Sequence, residues 1–161
     1  MIRNVELART FLRSQRIALV GASRDPKDFS RKVMDALVAH GHDVVPVNPA
    51  AEEIGGRRAF HRMQDVAPPA EAALFMTPPP RTAAGVEEAL AAGVRQIWLH
   101  RGGGSGAATA EAIALCRAAG VEPVTDLCPF MLLDRAAFPH RLHGFFRRRA
   151  VAWHAARAVP P

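Results

Sequence analysis

Four apolar residues and a glycine turn, Ile17-Ala-Leu-Val-Gly-Ala-Ser23, decide the fold of this 161-residue chain. A short, continuous apolar run that ends in glycine is typical of a strand buried on both faces of a parallel sheet. From Val33 to Val38 apolar residues recur at helical spacing, Gly41 ends the pattern, and Ser30 is the predicted N-cap. The stretch therefore predicts a strand, a tight turn and a helix, which together form the first part of a β-α-β unit.

The same order of strand, turn and helix returns along the rest of the chain. We predict further strands at residues 44–47, 72–76, 96–99 and 121–125, with helices at about 82–92 and 107–119 between the last three. Residues 50–69 contain a Gly-Gly turn and predict an irregular segment with one short helix. This alternation predicts an α/β fold, a Rossmann-like doubly wound parallel sheet of about five strands with helices on both faces.

The carboxyl ends of these strands form the predicted ligand edge, because α/β sheets of this kind bind ligands there. The residues at those ends are rich in glycine, serine, asparagine and proline: Gly21–Ser23, Val47–Pro49, Met76–Pro80 and His100–Gly104. Small and polar residues thus collect where a ligand is expected to bind.

The turn Gly21–Ser23 is a candidate phosphate site. A glycine lets the backbone approach the ligand closely, and the N–H groups at the start of the next helix attract anions. An ordinary strand-to-helix turn is the alternative interpretation. Lys27 and Arg31 follow the turn and are placed to meet phosphate charge, although a solvated basic face would look the same.

A dinucleotide site is a competing interpretation, in which the chain is an NAD(P)-binding domain that serves a partner enzyme. The G-x-G-x-x-G pattern is absent, since Ser23 and Pro26 stand at its second and third glycine positions. NAD sites usually place Asp or Glu at the end of the second strand to hold the ribose hydroxyls, and Asn48 stands there. Both differences disfavour NAD.

The motifs Ile17–Ser23, Asp25-Pro26 and Val45-Pro-Val-Asn-Pro49, taken together, resemble the CoA-binding-domain proteins. These are stand-alone relatives of the N-terminal domain of succinyl-CoA synthetase alpha chains. The resemblance covers roughly residues 10–133 and includes Val124-Thr-Asp-Leu-Cys128. It implies that a Rossmann-like domain holds coenzyme A or an acyl-CoA along its strand edge, as a binding or regulatory module.

The same resemblance implies which residues contact the ligand. Those expected at the phosphates are Gly21, Ala22, Ser23, Lys27 and Arg31. Those expected near the adenosine are Val47, Asn48 and Pro49. Thr77 and Pro78 would flank the ligand, and His100, Arg101 and Gly102 would lie nearer the pantetheine arm. Arginines that the family often shows after the third and fifth strands are missing here, which leaves the thiol end of the ligand open.

No complete catalytic constellation or zinc-ligand spacing is visible, so we predict that the chain is not an enzyme. The glycine run at 102–106 lacks the Lys-Ser/Thr pair of a P-loop. Of the early histidines, His100 alone lies at the ligand edge. Cys128 has two interpretations, a thiol that forms a mixed disulfide with coenzyme A or a buried small hydrophobe, whereas Cys116 is predicted to be structural.

Composition and length exclude several classes of protein. The chain is 49% hydrophobic and long enough to bury one core without metal or disulfides. No apolar run approaches the roughly 20 residues of a membrane span, and the N-terminus lacks the apolar region of a signal peptide. Two cysteines are too few for a disulfide scaffold, so we expect a cytoplasmic protein.

The positive charge is concentrated at the C-terminus. The net charge is +6, and residues 134–161 carry +5 of it, from six arginines against Asp134. We predict a CoA-binding domain at 1–133 and a basic, partly helical extension at 134–161. Its phenylalanines favour docking on its own domain or on a second copy in a homodimer. A nucleic-acid adaptor is an alternative, which the near-neutral remainder of the chain disfavours.

Overall fold

Four parallel strands form the sheet of this computed structural model, which describes residues 2–102 and 106–133. The strands are β1 (Arg16–Val20), β2 (Asp43–Val47), β5 (Ala72–Phe75) and β6 (Gln96–Leu99). A two-stranded hairpin, β3 (Glu53–Ile54) and β4 (Arg57–Arg58), lies between β2 and β5 in the chain. The order across the sheet is β2-β1-β5-β6, so the predicted parallel α/β fold is confirmed.

Helices cover both faces of the sheet, as the predicted doubly wound fold requires. They are α1 (Ile2–Phe11), α2 (Phe29–Ala39), α3 (Pro79–Ala91) and α4 (Ala110–Ala118), with a short 3₁₀ helix at Met63–Asp65. One core lies beneath α1 and α2, and the other lies beneath α3 and α4. None of the helices in the described part of the chain is long and apolar enough to cross a membrane.

Alternate residues of each strand enter the two cores, because side chains of a strand point to opposite faces in turn. Leu19, Leu74 and Trp98 pack with the α1 and α2 side, whereas Val20 and Phe75 pack with the α3 and α4 side. All five are buried. Burial on both faces explains why the strands appear in the sequence as unbroken apolar runs.

The predicted fifth strand is reduced to one bridge between Trp98 and Val124. Two hydrogen bonds form it: Leu99 N–H donates to the Val124 carbonyl and Val124 N–H to the Ile97 carbonyl, both at 2.9 Å. The Thr125 N–H donates to the Asn4 side-chain oxygen at 3.1 Å rather than to β6. Asp126 then has a positive φ of 54°, which turns the chain away from the sheet.

The start of α2 differs from the prediction. Asp28, not Ser30, is its N-cap, and the Asp28 carboxylate accepts the Ser30 N–H at 2.8 Å. The Ser30 N-cap prediction was therefore wrong by two residues, because Asp and Ser are both good caps and local sequence does not choose between them. The short helix predicted within residues 50–69 is confirmed by the 3₁₀ helix. Residues 103–105 and the predicted extension at 134–161 lie outside the described residues.

The strand order reverses between β1 and β5. The chain passes from β1 outward to β2 and then returns across β1 to β5. In open α/β sheets the connections on either side of such a point diverge, which leaves a crevice at the carboxyl ends of the strands. This topology positions the candidate site.

Candidate functional site

A cleft of about 390 Å³ opens at the carboxyl ends of β1, β2 and β5, where the strand order reverses. The strand ends supply one part of its wall, formed by Val20, Gly21, Val47, Asn48, Pro49, Thr77 and Pro78. The segment that leads into the 3₁₀ helix and the outer face of α3 supply the rest, formed by His61, Arg62, Met63, Arg81, Ala84, Gly85 and Glu88. Six of the predicted ligand contacts, Gly21 among them, therefore line one space together with α3.

Gly21 is required by the geometry at the end of β1. Its φ is +88°, and a Cβ added there would lie 3.0 Å from the backbone carbon and oxygen of Met76. A side chain would thus meet both backbone strain and a close contact with the end of β5. The Gly21 N–H donates to the Val47 carbonyl at 3.0 Å, so the ends of three strands are held together at this residue.

Asn48 links the two turns that the sequence analysis identified as ligand contacts. Its side-chain amide donates to the Ala22 carbonyl at 2.8 Å, and its side-chain oxygen accepts the Ala50 N–H at 2.8 Å. The turn after β1 is thereby fastened to the turn after β2. Asn48 lines the cleft as a fixed wall rather than as a mobile polar group.

The start of α2 carries its own carboxylate where the sequence analysis placed a phosphate. Asp28 accepts hydrogen bonds from both the Ser30 N–H and the Ser30 hydroxyl, the latter at 2.6 Å. The Ser23 N–H donates to the Ser30 hydroxyl oxygen at 2.9 Å, and the Ser23 hydroxyl accepts the Asp25 N–H at 3.1 Å. These bonds occupy amide groups that an anion at this helix start would otherwise use.

Four of the five contacts predicted at the phosphates do not line the cleft: Ala22, Ser23, Lys27 and Arg31. Ala22 is fully buried, and Lys27 is exposed at the edge of the turn. The Arg31 guanidinium lies over the hairpin turn, where a Cβ added to Gly55 would be 2.6 Å from it. The Arg31 Nε is buried and has no hydrogen-bond partner in the described ranges.

The cations of the cleft were missed by the sequence analysis. Arg62 Nε lies 3.4 Å from a carboxylate oxygen of Glu88, whose other oxygen accepts the Met63 N–H at 3.2 Å. Arg81 is exposed on the first turns of α3. Arg81 was detectable, because it directly follows the proline run at the predicted edge. Arg62 was not, because it lies in a segment without periodicity and enters the cleft through tertiary packing.

The start of α3 differs from that of α2 because it contributes few amide donors to the cleft. Proline occupies positions 78, 79 and 80, and proline has no backbone N–H. The hydroxyls of Thr77 and Thr82 pair with each other at 2.7 Å. Charge for an anion on this wall therefore comes from the Arg81 side chain rather than from helix amides.

A second depression, of about 280 Å³, lies farther along the same edge. We call it the His100 depression, and it is lined by His100, Arg101, Gly102, Asp126, Leu127, Cys128 and Met131. The three remaining predicted contacts thus lie together, apart from the cleft. His100 is only 9% exposed, and this burial lowers the pKa of its imidazole. Arg101 and Asp126 form an ion pair at 3.0 Å at its rim.

Comparisons with known proteins give the family of this chain. A family model described as "CoA binding domain" matches residues 15–134. The Bacillus subtilis protein YneT is 27% identical over 123 residues, which cover 76% of this chain and 88% of YneT. The family resemblance predicted from the sequence is confirmed.

Solved structures show the same fold. A protein from Pyrococcus horikoshii OT3 is 30% identical with a TM-score of 0.73, covering 82% of this chain and 90% of that one. A dinucleotide-forming acetyl-coenzyme A synthetase from Ca. Korarchaeum cryptofilum is 24% identical with a TM-score of 0.60. That match covers 73% of this chain but 27% of the synthetase, and it concerns the fold alone.

Proposed function

This chain belongs to the CoA binding domain family, and from that premise we propose that it binds coenzyme A or an acyl-CoA in the cleft. The observation that carries the proposal is the position of the cleft, which lies where the strand order reverses. Gly21 has no side chain, so the backbone is open to a ligand between the ends of β1 and β5. A doubly wound sheet binds nucleotide ligands at this point of its topology.

The size of the cleft suits the nucleotide part of the ligand. Its volume of about 390 Å³ lies in the usual range for small-molecule sites. The pantetheine arm extends from the pyrophosphate by about twelve bonds, or roughly 15 Å when straight. Adjacent strands are separated by roughly 5 Å, so the end of β6 lies about 10 Å from the end of β1. The arm is therefore long enough to reach the His100 depression.

The charge along the edge suits an anionic ligand. Coenzyme A carries a pyrophosphate and a 3′-phosphate, and arginine recognises phosphate through paired N–H groups. Arg62 and Arg81 line the cleft, and Lys27 and Arg31 lie beside the turn after β1. Glu88 is the one acidic residue among those that line the cleft, and it is engaged by Arg62. These cations support a phosphorylated ligand.

We further propose that the chain holds its ligand without catalysing a reaction. A nucleophile needs an adjacent base that is itself oriented by a third group. Among the described cleft residues, His61 is paired with Glu52 at 2.9 Å, but no hydroxyl or thiol is bonded to it. Thr77 is bonded to Thr82, and Glu88 is bonded to Arg62 and the Met63 N–H. The arrangement supports a binding or regulatory module.

Isothermal titration calorimetry tests this function, with coenzyme A, dephospho-coenzyme A and NAD titrated into the full chain. We expect micromolar binding of coenzyme A that weakens without the 3′-phosphate. Arg81→Ala should weaken it further, whereas Arg13→Ala should not, because Arg13 is exposed near the amino ends of the strands. Tighter binding of NAD would replace the proposal with an NAD(P)-binding domain. No heat from any of the three would contradict a nucleotide site in the cleft.

A further inference from the structure

The His100 depression contains a polar side chain that is not hydrogen-bonded by any residue that the structure describes. His100 is nine-tenths buried, yet within residues 2–102 and 106–133 its ring nitrogens have no hydrogen-bond partner. Buried polar groups normally have hydrogen-bond partners. The imidazole offers one donor and one acceptor to whatever enters this space.

The two cysteines of the chain differ in how accessible their thiols are. Cys116 lies in α4, is fully buried, and burial raises its thiol pKa to about 11. Cys128 is half-buried and lines the same depression as His100. A thiol must be accessible and able to ionise to attack a disulfide. Only Cys128 meets the requirement of access.

The surroundings of the depression suit an amide-containing chain with a sulfur at its end. The Phe29 ring lies 5.4 Å from the His100 ring and 5.6 Å from Phe130, which gives an apolar flank. Phe29 and Met131 are the large hydrophobic residues of the described chain that remain exposed, at 41% and 59%. An apolar wall beside an unpaired imidazole matches the alternating methylene and amide groups of pantetheine.

We propose that the His100 depression is a thiol-exchange site, at which Cys128 forms a mixed disulfide with the sulfur end of coenzyme A supplied as its disulfide. The inference rests on the proposed function, because the bound nucleotide delivers the arm to this depression. His100 holds an amide of the arm, and Cys128 provides the sulfur nucleophile. The chain then carries coenzyme A covalently under oxidising conditions and reversibly under reducing ones.

The exchange balances without a further oxidant. The Cys128 thiolate attacks one sulfur of coenzyme A disulfide, a new S–S bond forms at Cys128, and the S–S bond of the reagent breaks. The second coenzyme A leaves as a thiolate and takes up the proton released from Cys128. The Cys128 sulfur is oxidised and the departing sulfur is reduced. A dithiol reductant reverses the step.

The test is the rate of adduct formation by intact-protein mass spectrometry, with coenzyme A disulfide and glutathione disulfide at equal concentration. Tethering by the cleft raises the local concentration of the reacting sulfur. We therefore expect one coenzyme A per chain, added about tenfold or more faster than glutathione. Desulfo-coenzyme A, which binds but has no thiol, should remove this advantage. Peptide mapping should find the label on Cys128 and not on Cys116.

The variants Cys128→Ser and Cys116→Ala form the matched pair. Cys116→Ala should keep the full adduct and Cys128→Ser should lose it. Equal rates for the two disulfides, labelling of Cys116, or no adduct would each overturn the exchange site. Calorimetry of Cys128→Ser with reduced coenzyme A separates the two proposals: binding by this variant, together with no adduct on the unmodified sequence, refutes only the exchange site, and absence of binding refutes both.

Discussion

The two ends of the same four strands use their polar groups differently. At the amino end, Arg16 pairs with Asp43 and donates to the Pro68 carbonyl at 2.8 Å, while the Gln15 N–H donates to Glu71 at 2.9 Å. At the carboxyl end the strands open into a cleft beside a glycine that tolerates no side chain. One edge satisfies its polar groups within the protein, and the other leaves donors and space for a ligand.

This difference teaches which contacts serve stability and which serve binding. Arg16 bridges β1, β2 and the segment before β5, so its loss should affect the fold. Arg81 is exposed on the rim of the cleft, so its loss should affect the ligand.

The largest effect is expected for Gly21→Val, compared with Gly41→Val. Both glycines have φ near +90°, but a Cβ at Gly41 has no atom within 4 Å, whereas at Gly21 it meets Met76. Backbone strain should cost each variant about 1–2 kcal/mol. Overpacking should cost Gly21→Val a further 1–3 kcal/mol or so, and it should abolish coenzyme A binding. Urea unfolding and calorimetry measure both, and equal stability of the two variants would contradict the close contact at β5.

Arg16→Ala should separate stability from binding. Its hydrogen bonds with Asp43 and Pro68 are lost, and we expect the free energy of unfolding to fall by about 1–2 kcal/mol, since the Asp43 carboxylate is partly exposed. Affinity for coenzyme A should stay within twofold. Arg81→Ala is expected to do the reverse, lowering affinity about fivefold with stability unchanged. If Arg16→Ala lost as much affinity for coenzyme A as Arg81→Ala, the two edges of the sheet would not have separate roles.

Ser23→Asp tests whether phosphate lies at the turn after β1. A carboxylate there adds to that of Asp28 and should repel a phosphate, which lowers affinity by about fivefold. Ala114→Asp, on the exposed surface of α4, is the control for added charge and should bind normally. Unchanged affinity in Ser23→Asp would place the phosphates away from the turn, toward Arg62 and Arg81.

His100→Leu is expected to have the smallest effect on binding and a clear effect on pH dependence. Affinity for coenzyme A should fall a few-fold, while affinity for adenosine 3′,5′-bisphosphate, which lacks the arm, should not change. Burial lowers the pKa of folded His100 from 6.5, so the unfolded chain binds its proton more readily. Stability should therefore decline as the pH falls below about 6.5, and less steeply in His100→Leu. Identical pH profiles would contradict the burial of this imidazole.

The fold could be predicted because it depends on local patterns. Ile17–Val20 and the strands that follow it are buried on both faces. Successive residues of such a strand must therefore be apolar, and this apolar run is visible in the sequence. The turn at Gly21 and the motif ending at Asn48 likewise mark strand ends. The topology then brings them together, and the hydrogen bond from Asn48 to Ala22 joins the two predicted motifs.

The rest depends on contacts between distant parts of the chain. Arg62 lines the cleft because it forms an ion pair with Glu88 of α3. The sequence around neither residue indicates that this pair forms. The predicted fifth strand is likewise shortened to a bridge at Val124, because Asp126 then adopts a positive φ and the Thr125 N–H donates to Asn4 of α1. Periodicity therefore located the edge of the sheet but not the far wall of the cleft.

The proline run at 78–80 also decides how ligand contact is observed in solution. Three successive residues without an amide proton leave the start of α3 silent in an amide-detected NMR titration. The side-chain amide of Asn48 and the methyl group of Thr77 lie on the same cleft and can be labelled instead. A titration followed by the signals of these two groups reports ligand contact at both walls of the cleft, one beside β2 and one beside α3.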